Sequence, residues 1–500
     1  MLKLHRNAGA ALLLAGLLAL SACSASDSGT PATAPGGGQA KNDAPAYGEP
    51  GIPGGETDAG QRPQSTFALD VDTASYTYAL RQLQEGRWPD PSTLRAEEFV
   101  NSFAMGYQAP SGNGFGVHVD GAAMPTTHRG DDAPALHLLR VGLQTRGEDS
   151  ETRKDAALTF VIDTSGSMAE AGRLDLVQDA LHYLVRQLRP TDAVALVTFN
   201  DRAKISIGMT RVSEFEDLDR AIDKLSPGGS TNLEAGLVTG YQVARDGFRT
   251  GATNRVILLS DGLANVGNTE ADPILRRVRA EADKEISLLG VGVGSDYGDS
   301  LMERLADKGD GYTIYVSNRT QARDAFVKQL PANITLRALD AKAQVTFDSE
   351  TVDAYRLVGY DDRRLSASAF RNDSIDGGEV GAGHSVTALY ILRLRPGVRS
   401  GAHVADVNVR WQDPVTRHAS ETSDEVTAQD IGGSFAGGDP HLRLAYAAAF
   451  FAETLKSTRY ATDVRLPELA QIAADANEEL NDAKVDELVR AIDGAARLGR

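Results

Sequence analysis

Short, mainly apolar runs alternate with amphipathic stretches between Ala157 and Leu330. Leu158 to Ile162 is the first such run, and it ends at Asp163; later runs occupy 194–199, 256–259, 286–293 and 312–316. Strands that are apolar on both faces are typical of a parallel sheet covered by helices on both sides. The pattern therefore predicts a doubly wound α/β domain over residues 155–330.

The stretches between these runs carry apolar residues at helical spacing. Leu174, Val177, Leu181, Leu184 and Leu188 recur at intervals of three and four residues, which places them on one helix face. Further helices are predicted around 215–225, 233–248, 274–278 and 322–330.

After Pro331 the apolar period changes to two. Alternating apolar positions over 386–394 and 407–411 predict antiparallel strands with one face exposed to water. Leu136 to Gln144 also resembles a strand. We therefore expect the segment 111–154 to pair with 335–430, so that the α/β domain is inserted into, or flanked by, an antiparallel β-rich domain that extends over 331–433.

Helices are predicted at both ends of this arrangement. Asp72 is placed to cap a helix from Thr73 to Glu85, and Pro91-Ser92 can begin a second helix, within an N-terminal helical segment over 65–110. Asp439-Pro440 offers a cap and a first helical position. The region 434–500 then has the apolar spacing of three helices.

The first 64 residues have a different pattern. Lys3 and Arg6 precede an apolar stretch from Ala8 to Leu20, which suits a signal peptide over 1–22 and is short for a membrane span. Leu20-Ser-Ala-Cys23 resembles a bacterial lipobox, which implies cleavage before Cys23 and lipid on its thiol; the alternative is an ordinary secretory signal with a chance cysteine. Residues 23–64 have no apolar period and predict a disordered tether.

The composition and the net charge exclude several classes of binding partner and site. The chain has 500 residues, of which 41% are apolar, and a formal net charge of −18 without any Lys/Arg-rich run, so nucleic acid is excluded as a partner and attachment to anionic lipid by charge is disfavoured. The single cysteine excludes a disulfide framework and a thiolate metal site. We expect a bacterial cell-envelope protein attached to the membrane through lipid on Cys23. Ser24 resembles the residue that directs enterobacterial lipoproteins to the outer membrane, facing the periplasm or the surface.

Oxygen-bearing side chains occupy three loops of the predicted α/β domain. Asp163-Thr-Ser165-Gly-Ser167 follows the first strand, Thr231 precedes a helix, and Asp261 follows the strand at 256–259. Ligands of parallel sheets bind beyond the carboxyl ends of the strands, where these loops are expected to lie. The alternative is that the serines only cap the next helix, as serines commonly do.

This Asp-x-Ser-x-Ser motif, with a distant threonine and a distant aspartate, resembles the metal-ion-dependent adhesion site (MIDAS) of von Willebrand factor A (vWA) domains. The resemblance implies that the hydroxyls of Ser165, Ser167 and Thr231 and the carboxylates of Asp163 and Asp261 hold a divalent cation, directly or through water. Mg²⁺ suits about six such oxygens; Mn²⁺ would also fit, and Ca²⁺ prefers a wider cage. Only two formal negative charges oppose the 2+ ion in this set, and a coordination position is left for an oxygen from outside, so a carboxylate of a protein partner is the expected further ligand.

Four segments outside the α/β domain resemble the flanking regions of bacterial vWA lipoproteins: Thr66–Tyr76, Glu97–Asn101, Tyr355–Tyr360 and Gly381–Tyr390. These proteins have a dedicated N-terminal segment and a C-terminal domain of unknown role. The resemblance extends over nearly all of 65–500, and it says more about domain organisation than about biological function.

Other chemical motifs are weak. Asp70-Val-Asp72 resembles the opening of haloacid-dehalogenase-type phosphatases, but Ala74 stands where those enzymes have a hydroxyl, so a helix cap is the better interpretation. His384 is interpreted as a solvated or locally hydrogen-bonded histidine. The sequence contains no His-Glu-x-x-His, Gly-x-Ser-x-Gly, phosphate-loop or dinucleotide glycine motif, and no small-molecule substrate is indicated. We therefore predict a partner-binding protein and no enzyme; the alternatives are a metal-dependent envelope hydrolase and a structural lipoprotein with a stabilising metal.

Overall fold

The computed structural model describes residues 55–499, apart from 70, 126–135, 148–152, 262–270, 283, 295–299, 310, 324, 327–335, 374, 376 and 415. The predicted signal peptide, Cys23 and the tether as far as residue 54 lie outside the described residues. So does Asp70.

The described strands form three sheets. In chain order they are β1 (Thr57–Asp58), β2 (Gln64–Ala68), β3 (Phe115–Ala123), β4 (Leu136–Thr145), β5 (Ala156–Asp163), β6 (Ala193–Phe199), β7 (Ala203–Arg211), β8 (Thr253–Ser260), β9 (Ile286–Val293), β10 (Thr313–Val316), β11 (Leu336–Phe347), β12 (Val352–Val358), β13 (Arg364–Leu365), β14 (Gly378–Gly381), β15 (Ser385–Leu394), β16 (His403–Gln412) and β17 (Ala419–Thr427).

The described helices lie between strands of the α/β region and at the two ends of the fold. They are α1 (Ala74–Gln84), α2 (Ala96–Asn101), α3 (Arg173–Gln187), α4 (Phe215–Asp223), α5 (Leu233–Asp246), α6 (Ala271–Ala282), α7 (Ser300–Lys308), α8 (Arg319–Arg323), α9 (Pro440–Leu455), α10 (Leu466–Leu480) and α11 (Ala483–Leu498). Among these described helices, none combines the length and apolarity needed to cross a bilayer.

The α/β sheet has the strand order β10-β9-β8-β5-β6-β7. Its first five strands are parallel, and β7 is an antiparallel edge strand. All residues of β5 are buried, because α3, α4 and α8 cover one face of the sheet and α5, α6 and α7 cover the other. The doubly wound fold is confirmed. Strand β7 was not predicted from the sequence; its apolar residues are partly exposed, since the strand has a neighbour on one side only.

Two antiparallel sheets pack face to face as a β-sandwich. One has the order β1-β12-β15-β4-β3, and the other has the order β13-β2-β11-β16-β17, with β14 paired to β11. Val141 and Val386 of the first sheet share a buried core with Val345 and Val407 of the second. Strand β4, which precedes the α/β region, pairs with β15, which follows it. The α/β domain is therefore inserted between strands of the sandwich, as the fold class predicted.

The terminal helices cover the outer face of the first sheet. Phe99 of α2, Phe451 of α9 and Leu488 of α11 form one core with Leu138 and Leu389 of the sheet. Because of this helical layer, β15 is buried on both faces, and the expectation of a face exposed to water over 386–394 is wrong. Strand β16 of the other sheet keeps alternating burial, as predicted.

Residues of the family-like flanking segments join the helical layer to the sandwich. Arg356 of β12 forms a buried ion pair of 3.2 Å with Glu453 of α9, and its guanidinium lies 3.8 Å from the ring centre of Tyr460. Gly359 has φ of +75°, and a Cβ atom there would come within 2.2 Å of Glu97 Oε2. These segments therefore have a structural role in holding the helices against the sheet.

Two predictions for the N-terminal segment are wrong. The tether was predicted to extend to residue 64, but β1 pairs with β12 and β2 lies between β13 and β11. These strands are too short for a periodic signal. Asp72 does not cap α1: Thr73 occupies the N-cap position without a side-chain cap bond, and the backbone N–H of Ser75 donates to Glu98 Oε2 at 2.7 Å. The cap comes from a neighbouring helix, which local sequence cannot indicate.

Candidate metal centre

The three predicted loops lie beyond the carboxyl ends of β5 and β8 and before α5. Two backbone hydrogen bonds join the loop after β5 to the loop that carries Thr231: Gly166 N–H donates to the carbonyl of Gly229 at 2.9 Å, and Gly228 N–H donates to that of Thr164 at 2.8 Å. Thr231 itself is 5% exposed. The polypeptide thus holds these two loops in a fixed mutual position.

Asp163 is the last residue of β5 and is fully buried. Its Oδ1 accepts from the backbone N–H of Ser165 at 2.8 Å, and its Oδ2 accepts from the hydroxyl of Ser260 at 2.7 Å. Burial raises the pKa of Asp163; these hydrogen bonds oppose the rise, and the nearby charge of Asp261 adds to it. A desolvated carboxylate beside a second acidic group favours binding of a cation.

Hydroxyls connect the loop after β5 to Asp261. The hydroxyl oxygens of Ser165 and Ser167 are 3.1 Å apart, and the Ser167 hydroxyl donates to Asp261 Oδ1 at 2.9 Å. Ser167 and Asp261 are 94 residues apart in the chain. The structure therefore brings together Asp163, Ser165, Ser167 and Asp261, with the Thr231 loop bonded alongside.

The alternative role of the serines as helix caps does not hold for Ser165. Ser165 occupies the N-cap position of a 3-10 turn over Gly166–Gly172, but its side chain makes no cap hydrogen bond. For α5, Asn232 supplies the cap by accepting from Ala235 N–H at 3.0 Å. Capping of these helices therefore does not explain why hydroxyls stand at positions 165 and 231.

Arg173 is a part of the site that sequence reasoning missed. Its Nη1 donates to Asp261 Oδ2 at 2.6 Å, and both side chains are buried. Arg173 is the first residue of α3, where the helix dipole disfavours a positive charge. That unfavourable position is the signal that could have shown that Arg173 has an acidic partner.

The donor set fits a hard divalent cation. It offers neutral hydroxyl oxygens and two carboxylates, which are the ligand types that Mg²⁺ prefers. Across the described part of the chain, no group of three or more His, Cys, Asp or Glu side chains has an arrangement suited to a metal. The residues that would hold a cation here are Asp163, Ser165, Ser167, Thr231 and Asp261.

Two other residues considered from the sequence lie away from these loops. Asp72 accepts from the backbone N–H of Thr313, the first residue of β10. The ring of His384 lies 6.1 Å from that of Tyr312, and close packing together with the charge of Arg255 lowers its pKa to about 4. A solvated His384 was one of the predicted alternatives, and this packing disfavours it.

Models of known protein families match three regions of the chain. The family model described as von Willebrand factor type A domain matches residues 157–329. The model described as the C-terminal region of the uncharacterized protein YfbK matches 332–400, and one described as von Willebrand factor matches 54–131.

Among curated proteins, the uncharacterized protein YfbK of Escherichia coli (strain K12) is 31% identical over 456 residues, which cover 87% of this chain and 78% of YfbK. The uncharacterized protein sll0103 of Synechocystis sp. is 24% identical over 316 residues, or 61% of this chain and 71% of that protein. Among solved structures, a von Willebrand factor type A protein from Catenulispora acidiphila matches with a TM-score of 0.45 and 16% identity, over 73% of this chain and 88% of that one.

Proposed function

The chain belongs to the family of bacterial vWA-domain proteins that includes YfbK, and on that basis we propose that it binds a protein partner through a divalent cation held by Asp163, Ser165, Ser167, Thr231 and Asp261. vWA domains in general mediate protein–protein interaction, and they commonly bind divalent metals. The cation and the acidic group of the partner are the specific parts of the proposal. Mg²⁺ is the proposed ion, with Mn²⁺ or Ca²⁺ as substitutes.

The observation that carries the proposal is the hydroxyl connection from Ser165 through Ser167 to Asp261, beside the buried carboxylate of Asp163. Hydroxyl ligands are neutral, so they supply oxygen atoms without cancelling the charge of a dication. A cation held in this way attracts a further anionic oxygen. A carboxylate from a partner is the side-chain group that offers one.

The described surroundings of the site favour binding over catalysis. Among the described residues, the partners of its carboxylates include the Ser260 hydroxyl, the Arg173 guanidinium, the Ser167 hydroxyl and a backbone N–H group. An arginine stays protonated and cannot accept a proton as a general base. A bound cation would supply charge for recognising an anion, while these residues orient the ligand side chains.

We also propose that the protein is attached to the bacterial cell envelope by lipid on Cys23, at the outer membrane. The support is the order of basic, apolar and small residues before the one cysteine of the sequence. Several acyl chains give stable membrane attachment even to an acidic protein, at ~0.8 kcal/mol per buried methylene. Labelling of cells with radioactive palmitate tests this: label on the wild type and none on Cys23→Ser is expected, and an equally labelled variant would refute it.

The first test of the binding function is calorimetry. Full-length protein in detergent, stripped of metal with EDTA, is titrated with MgCl₂, and saturable binding of about one ion per chain is expected. The same samples are incubated with generic phosphate and ester substrates with and without EDTA. Turnover that depends on metal would replace the proposal with the hydrolase alternative.

The second test concerns the partner. Crosslinking in intact envelopes should attach a protein to the wild-type chain in an EDTA-sensitive manner, and Thr231→Val should lose it, because valine keeps the shape but removes the hydroxyl. Ser230→Ala is the matched control: Ser230 lies in the same loop and donates to Asp201, outside the proposed ligand set. Capture that survives EDTA would indicate a metal with a purely stabilising role.

A further inference from the structure

A buried positive charge lies inside the candidate metal centre. The Arg173 guanidinium contacts Asp261 Oδ2 at 2.6 Å, and the side chains of Arg173 and Asp261 are 8% and 3% exposed. The other oxygen of the same carboxylate, Oδ1, accepts from Ser167 at 2.9 Å. One oxygen of Asp261 therefore pairs with the arginine, and the other is bonded to Ser167, a proposed metal ligand.

The fold makes room for this arginine. Gly294 follows β9 with φ of +100°, and a Cβ atom at that position would approach Arg173 Nε to 2.6 Å. Any larger residue would push the guanidinium out of place. Glu170, another acidic neighbour of Arg173, is 4.0 Å away, and its side chain is 72% exposed, so water screens its charge strongly. Asp261 is therefore the main counter-charge of Arg173 among the contacts described.

Counting charges shows what Arg173 changes. Asp163 and Asp261 contribute two negative charges, and Arg173 cancels one of them. Together with a bound dication these three side chains carry a net positive charge, whereas the two carboxylates alone would neutralise the dication. Because charges interact more strongly in a poorly hydrated site than in water, this difference in net charge has a large effect on the binding of a further ion.

We propose that Arg173 tunes the centre for anion capture: it weakens the hold of the site on the metal and strengthens the hold of the metal-loaded site on a carboxylate of the partner. This inference rests on the proposed function and deepens it. Arg173 acts through Asp261 and is a positioning residue, since no contact with the metal or the partner is required of it.

A purely structural ion pair makes a different prediction. If Arg173 only stabilised the fold, removing it would leave Asp261 buried and unpaired and would lower every binding property together. Electrostatic tuning instead moves the two affinities in opposite directions. The sign of the two changes therefore separates the two roles.

The experiment uses full-length protein with Mn²⁺ as the metal probe and acetate as the carboxylate probe. Free Mn²⁺ is measured by electron paramagnetic resonance, and acetate binding by its displacement of metal-bound water in water-proton relaxation. Arg173→Met keeps length without charge, and Arg173→Lys keeps the charge. Arg153→Met is the matched control, because Arg153 forms a similarly buried pair of 2.5 Å with Asp192.

In Arg173→Met we expect Mn²⁺ affinity to rise about tenfold or more and acetate affinity of the loaded protein to fall about tenfold or more. Arg173→Lys should stay within about threefold of the wild type, and Arg153→Met should change neither affinity. A fall in both affinities, or no change in either, would overturn the inference. If Arg173→Met binds Mn²⁺ and the wild type does not, the inference about Arg173 is supported and the proposed function is refuted. If neither protein binds Mn²⁺, the inference and the proposed function are both refuted.

Discussion

The carboxylate of Asp72 accepts a hydrogen bond of 2.9 Å from the backbone N–H of Thr313, 241 residues further along the chain. Asp72 is 4% exposed, and its other oxygen lies 3.5 Å from the guanidinium of Arg363. The segment before α1 is thereby bonded both to β10, the edge strand of the α/β sheet, and to the sandwich. One side chain joins three parts of the fold that are distant in sequence.

Replacement of Asp72 by alanine should lower the free energy of unfolding by about 1–3 kcal/mol, because it leaves a buried backbone donor without this acceptor. Hydrogen exchange of the Thr313 amide, measured by mass spectrometry of peptides over 311–323, should become faster. Asp90→Ala is a control in the same segment: Asp90 caps an exposed turn by accepting from Ser92 N–H at 2.9 Å. It should leave exchange at Thr313 unchanged, and equal acceleration by both variants would refute a specific role for Asp72.

Asp163→Asn should lose Mg²⁺ affinity by more than about 100-fold, because 100-fold is the upper end of the loss caused by mutating a residue that only hydrogen-bonds to a metal ligand. The fold should survive, since an asparagine oxygen can still accept from Ser165 N–H, and its amide can donate to the Ser260 hydroxyl. Calorimetric titration with MgCl₂ measures the affinity, and circular dichroism monitors the fold. Unchanged affinity in a folded variant would remove Asp163 from the ligand set.

Arg356→Met should lower the free energy of unfolding by about 3–5 kcal/mol, because it leaves Glu453 buried without its counter-charge. Adding Glu453→Gln to that variant should recover part of the loss. Arg371→Met is the control: the Arg371–Glu421 pair has side chains that are 69% and 29% exposed, so its loss should have little effect on the free energy of unfolding. Denaturant unfolding gives all four values, and similar losses from Arg356→Met and Arg371→Met would contradict the prediction.

His384→Gln should make the protein less sensitive to acid. The pKa of His384 in the folded protein is about 4, below the ordinary value near 6.5, so between these values the unfolded chain binds more protons than the folded one. Histidine therefore lowers stability as the pH falls from about 6.5 towards 4, on the order of 2 kcal/mol after allowance for partial exposure. Between pH 7 and pH 4.5, the free energy of unfolding should fall less for His384→Gln than for the wild type. The exposed His418→Gln should follow the wild type; a parallel profile for His384→Gln would refute the effect.

Much of the architecture could be predicted because its signals are local. The run ending at Asp163 is apolar on both faces, and such a run has few stable locations other than the centre of a covered parallel sheet. The order of strands and helices then places Ser165 and Asp261 at one edge of that sheet. Fold class and family are confirmed, and the ligand set remains a prediction.

What escaped prediction depends on contacts between distant segments. The cap of α1 comes from Glu98, and the partner of Arg173 lies 88 residues away. Strand β15 alternates in sequence as a half-exposed strand does, yet helices from both ends of the chain cover its outer face. Periodicity reports the chemistry of a segment and cannot report which other segments will cover it.

The position of β2 inside its sheet bears on how the protein would respond to mechanical load. Tension applied to the chain ahead of Thr57 would first detach β1 and would then have to separate β2 from β11 and β13. The force would pass into the sandwich before it reached β5. Pulling on the N-terminal side would therefore load β1 and β2 before the strands that carry Asp163 and Asp261.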